Sequence, residues 1–132
     1  MLAKRCLPFL FGVFASLGAV QALSHHSFAA VYDAGKEITI EGKVVQFQYR
    51  NPHSVLHVLA TDSEGTERRY AIEWQGATQL GAAGISAQTV HPGDPVIVTG
   101  HPGRVAAENR ILMTEIKRTT DDFAWKNRGS LN

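Results

Sequence analysis

The chain has 132 residues, with 13 Lys and Arg against 12 Asp and Glu, a net charge of +1, and a single cysteine. This length predicts one domain with a modest core. The near-neutral balance lacks the basic footprint of nucleic-acid binding, and a lone cysteine excludes an internal disulfide.

Lys4 and Arg5 stand before the almost wholly apolar Cys6–Val20, and Val20-Gln21-Ala22 puts small residues where a signal peptidase reads. Residues 1–22 are therefore predicted to be a secretory signal peptide. The apolar run is shorter than the ~20 residues that a spanning helix needs. Cys6 precedes that run, unlike a lipoprotein cysteine, and is expected to leave with the signal. Cleavage after Ala22 would remove Lys4 and Arg5 and leave residues 23–132 without a thiolate, at a net charge of −1. The expected location is the periplasm or the medium, with no membrane anchor after cleavage.

Ile38, Ile40, Gly42 and Val44 share one face of a long first strand over Glu37–Tyr49, while Phe47 and Tyr49 fall on the other parity. That change of phase predicts a bulge or bend. Arg50-Asn51-Pro52 is a turn. Ser54–Thr61 is a second strand, and Asp62-Ser63-Glu64-Gly65 closes a hairpin with a third over Thr66–Trp74. Gly76–Gly84 suits a short helix that stops at Gly84. A turn at His91-Pro92-Gly93-Asp94 leads to a fourth strand, Pro95–Gly100. The loop His101–Asn109 precedes a fifth, Arg110–Arg118. Residues 119–132 read as a polar tail, with Phe123 and Trp125 as anchors.

Three strands, a helix and two more strands form the order of an OB-fold, a five-stranded Greek-key barrel. The expected class is all-β with one short helix, with residues 23–118 as the OB-like domain. The alternative is an open antiparallel sandwich. Closure requires strand one to pair with both strand two and strand four. An OB-fold binds through strands two and three and through loops one-two and four-five. Here those loops are Arg50–His53 and His101–Asn109.

All six histidines lie beyond the signal. Cleavage after Ala22 leaves Leu23-Ser24-His25 at the amino terminus. Its amine, two amide nitrogens and one imidazole suit a square-planar Cu(II) or Ni(II) ion. Cleavage after Ser24 would put His25 first, with amine and imidazole on one residue. His25 and His26 are therefore metal candidates, against the plain alternative of a polar terminus that holds nothing. His53 is the candidate third ligand, placed where a loop meets a strand. Glu73 is a candidate to accept a hydrogen bond from a ligand histidine. His57 and His101 are weaker candidates. If Asp62 pairs with Glu67, His57 stands opposite Ile72 and faces the core, although a slip of one residue reverses this. His91 and His101 precede Pro-Gly and fit turn chemistry.

His25-His26-Ser27-Phe28, followed by Asn51-Pro52-His53, resembles a family of small exported bacterial proteins known as domain of unknown function 6152. Tyr32-Asp33, Gly42-Lys43-Val44, Glu73, Gly93-Asp94 and Gly100 extend the resemblance over most of residues 24–116. It implies export and a small β-domain, joins His53 to the histidine doublet, and brings no activity.

No nucleophile motif, phosphate loop or His-Glu-x-x-His stands in the chain. The expected function is an exported, monomeric binding protein rather than an enzyme. It holds a divalent metal, copper first, through His25, His26 and His53. The rival readings are an interaction module for another envelope protein and a binder of a small organic molecule.

Overall fold

A computed structural model describes residues 28–129. Among the described residues the strands are β1 (Ile38–Gln48), β2 (Val55–Thr61), β3 (Glu67–Glu73), β4 (Pro95–Pro102), β5 (Arg110–Arg118) and β6 (Ala124–Lys126), and the helix α1 (Ala77–Ala82) lies between β3 and β4. A 3-10 turn covers Ala106–Glu108. β1 pairs antiparallel with β2 on one side and β4 on the other. β4 pairs with β5, and β5 closes on β3 in parallel through Ala71–Arg110, Ile72–Ile111 and Glu73–Leu112. The expected closed OB-like barrel is what forms, with a strand added.

Alternation places the core. Leu56, Val58 and Ala60 of β2, Ile72 of β3, Val96 and Val98 of β4, and Ile111, Met113 and Ile116 of β5 are buried. Leu80 of α1 is fully buried and belongs to the same core cluster. Each large aliphatic side chain so enclosed contributes roughly 1.5–3 kcal/mol. The phase change in β1 is a bulge between Val44 and Gln46. It leaves Val44 buried and Val45 exposed.

The β2–β3 register differs from expectation by one residue. Thr61 pairs with Glu67, and His57 with Ala71. The Asp62 N–H donates to the Thr66 carbonyl at 2.9 Å, which leaves a three-residue loop over 63–65. Gly65, at φ +80°, takes its left-handed position. Asp62 Oδ1 accepts from the amides of Glu64 and Thr66. His57 is thereby turned to the outer face, between the buried Leu56 and Val58. The expectation that it faces the core is corrected.

The stretch read as a polar tail contributes β6. It pairs with β5 through Glu115–Lys126, Ile116–Trp125 and Lys117–Ala124. Trp125 reaches Trp74 with ring centroids 5.3 Å apart. Arg118 fastens the turn: its guanidinium bonds Asp121, the Asp94 carboxylate at 2.7 Å and the Thr89 carbonyl at 2.8 Å.

Candidate functional site

Parallel pairing of β3 with β5 stops after three residue pairs. Past Leu112 the same edge of β5 is taken by β6 instead. At this junction the wall of the barrel opens into a cavity of about 390 Å³. Trp74 and Gln75 line it from the exit of β3, Leu112 and Met113 from β5, and Asn127 from the end of β6. Trp74 is only 2% exposed, and its indole N–H has no hydrogen-bond partner among the described residues.

The fourth side is the start of the described chain. Residues 28–31 form a helical turn in which the Tyr32 N–H donates to the Phe28 carbonyl at 2.8 Å. Arg104 clamps that turn onto loop four-five. Its backbone N–H donates to Val31 O and its Nε to Ala29 O, both at 2.8 Å. Tyr32 bridges Gly103, and the Asp33 N–H donates to Pro102 O at 2.9 Å. Phe28 thus reaches His53, the two rings meeting edge to face at 5.2 Å.

Loop one-two presents His53 from below. Asn51 Oδ1 accepts the Thr78 N–H at 3.1 Å, capping the first turn of α1, and its amide donates back to Thr78 Oγ1. The Ala77 N–H donates to Arg50 O. Buried Ser54 continues the ladder, its N–H donating to Gln75 O and its carbonyl accepting from Trp74 N. His53 is therefore held between a capped helix and a strand.

Glu73 is the electrostatic centre. Its Oε2 accepts the Tyr32 hydroxyl at 2.6 Å. Arg110 Nη2 lies 3.7 Å from the same oxygen, and its guanidinium stands over the Tyr32 ring at 5.6 Å. His53 Nδ1 lies 3.6 Å from Oε1, within ion-pair range but too long for a hydrogen bond. Burial, then the bond to Glu73, pushes the Tyr32 pKa up, so the phenol remains a proton donor. His101 joins from β4: its Nδ1 stands 2.7 Å from the Lys36 carbonyl. A carbonyl only accepts, so Nδ1 carries the hydrogen and neutral His101 has its lone pair on Nε2.

His53, Glu73 and His101 therefore line one cavity. His25 and His26 lie outside the described residues. His57 sits elsewhere, on the outer face beside Arg69 and Arg50. Burial, then those two guanidinium groups, lowers its pKa below the ordinary 6.5. The unfolded chain then binds this proton at higher pH than the folded one. The contribution of His57 to stability is expected to fall as pH drops from about 6.5 through the depressed folded value. Unfolding titrations between pH 7 and 5 should show a shallower decline for His57→Gln than for the wild type. Parallel curves would remove His57 from the linkage.

Phe28, Tyr32, Met113 and Arg110 were not singled out as site residues from sequence. Two of them carried a signal, Phe28 in His25-His26-Ser27-Phe28 and Tyr32 in Tyr32-Asp33. Among the described residues no three His, Cys, Asp or Glu side chains converge on a metal position. The donor chemistry nonetheless fits a transition metal in part. It offers two imidazoles at one cavity, one fixed by a carbonyl and one facing a carboxylate, the usual outer partners of ligand histidines.

Residues 13–111 match the model of a family described as a family of unknown function, DUF6152. No curated protein matches the chain.

Proposed function

The chain belongs to DUF6152, a family of unknown function, and from that premise we propose that it is an exported periplasmic protein that binds a divalent metal, copper first. Signal cleavage after Ala22 frees an amine beside His25 and His26, and His53 completes the site. The observation that carries the reading is the contact of Phe28 with His53, at 5.2 Å between ring centroids. Three residues of chain span at most about 11 Å. Chain connectivity alone therefore keeps His25 within about 11 Å of Phe28, the residue that meets His53. Glu73, whose Oε1 lies 3.6 Å from His53 Nδ1, would steady that ring if metal binding drew the two within hydrogen-bond distance. Binding, not turnover, is the role proposed, and the protein works as a monomer.

The amine titrates near ~8 and imidazole near ~6.5, so protons compete with the metal. Copper affinity is expected to weaken as pH falls from 7 to 5. At pH 7, His53→Ala should weaken Cu(II) binding and change its visible spectrum. Glu73→Gln should weaken binding about 10-fold or more through His53. Intact mass of the exported protein, with and without copper, fixes the terminus and the stoichiometry. If His25→Ala abolishes binding and His53→Ala does nothing, only the terminus binds, and the three-histidine site fails. If neither variant changes binding, the metal reading fails, and an interaction module becomes the better account.

A second reading draws on the cavity itself. Its 390 Å³ lies within the ~300–1,000 Å³ of small-molecule sites. Its walls are mostly carbon, from Phe28, Trp74, Leu112 and Met113. A small organic ligand would protect Trp74 fluorescence from quenching without any metal, and a fragment screen read that way tests it.

A further inference from the structure

We infer that the cavity holds copper as Cu(I), with the Met113 thioether and His101 Nε2 as donors beside His53. The inference rests on the copper reading above and adds to it a second, cuprous site in the cavity, which shares His53 and brings two further ligands.

The donors divide by chemistry. An amine, amide nitrogens and imidazole in a plane favour Cu(II), and these belong to the terminus. The cavity offers the opposite set. Met113 lines it, supplying a soft sulfur, the donor type that selects Cu(I). The other methionine of the chain is Met1, within the predicted signal segment. Met113 takes an inward position on β5, where Ile111 and Ile116 are aliphatic. It stands opposite Gly100, at the point where the β4–β5 register shifts. Met113 is thus presented to the cavity from a barrel strand and not from a loop.

His101 is equally fixed. The Lys36 carbonyl holds Nδ1 at 2.7 Å, which leaves Nε2 unprotonated and free to bind. His53 adds a second imidazole to the lining of the same cavity, with Nδ1 3.6 Å from Glu73 Oε1. Two neutral imidazoles and a thioether add no charge. The Born cost of burying an ion grows with the square of its charge, so a +1 ion suits this carbon-walled cavity better than a +2 ion. Glu73 supplies one negative charge at the edge.

The test uses the full chain as the cell produces it. Cu(I), kept reduced by ascorbate without oxygen, is titrated against a chromogenic cuprous chelator, and Cu(II) is titrated separately. Met113→Leu keeps the volume and removes the sulfur, and His101→Asn removes the imidazole. Each is expected to lower Cu(I) affinity about ten-fold or more while leaving Cu(II) affinity nearly unchanged. X-ray absorption of the wild-type Cu(I) protein should show a sulfur neighbour, a measurement that needs no variant to fold. Absence of that sulfur, or equal Cu(I) affinity in Met113→Leu, overturns the inference and leaves the terminal Cu(II) site standing. Failure of the wild type to bind either ion overturns the proposed function itself.

Discussion

Replacement of Trp74 by alanine is expected to lower the unfolding free energy by about 3–5 kcal/mol, as for other large aromatic side chains removed from a core. Trp74 follows β3 directly and is 2% exposed. Its ring meets Phe47 of β1 at 5.7 Å and Trp125 of β6 at 5.3 Å. It therefore joins the first strand, the third and the last where no backbone ladder links them. Alanine would leave a void continuous with the cavity and remove the support of β6. Trp74→Phe keeps a ring and deletes the N–H that has no hydrogen-bond partner. It should cost clearly less, because removing an unsatisfied donor offsets part of the lost packing. Urea midpoints for the two variants decide the matter. A loss below about 1 kcal/mol for Trp74→Ala would mean that the ring is not part of the core.

Gly42→Val should be of comparable severity, about 3 kcal/mol or more, at the upper end of overpacking costs. Gly42 pairs with Ala60 of β2 on one side and Val96 of β4 on the other. A Cβ there would run into the Leu59 carbonyl and lie 2.9 Å from the Ala60 side chain. Neither is the yielding end of a flexible side chain. The backbone of β1 must shift, and β1 is the strand on which both halves of the barrel hang. Gly35→Ala is the control, since its added carbon would meet nothing nearer than Asp33 Oδ1 at 3.4 Å. Circular dichroism with thermal melts should find Gly35→Ala near wild type and Gly42→Val strongly destabilised or unfolded. A native-like melt for Gly42→Val would show that the barrel corner has room to spare.

Much of this barrel was legible before folding. Period-two alternation located β2 and β5 closely, because one face of each strand is wholly core and the other is not. The helix-like insert after Trp74 and the strand order predicted closure through β1–β4. The bulge in β1 left its mark as a change of parity between Val44 and Phe47. Two features were not legible. The hairpin register turned on whether its loop held three or four residues, and Asp62 suits either. The left-handed φ of Gly65 decides it, and with it the face of His57. β6 was hidden because Thr119–Asp122 is polar and the strand is only Ala124–Lys126. Its pairing comes from the edge that β3 leaves vacant. The cavity was the least legible part. His53 and His101 are 48 positions apart in the chain, and only the Greek-key crossing puts them on one rim. Met113 looked like any other core residue.

The clamp of Arg104 on residues 29 and 31 also sets a timetable. Its Nε donates to a carbonyl 75 positions earlier in the sequence. Translation proceeds from the amino end, so the first wall of the cavity emerges long before the residue that pins it. Loop closure over that span is slow compared with the β2–β3 hairpin, whose partners are near neighbours. The rim of the cavity is therefore completed late. A nascent chain halted short of Arg104 would have its β2–β3 hairpin but not the clamp that closes the cavity.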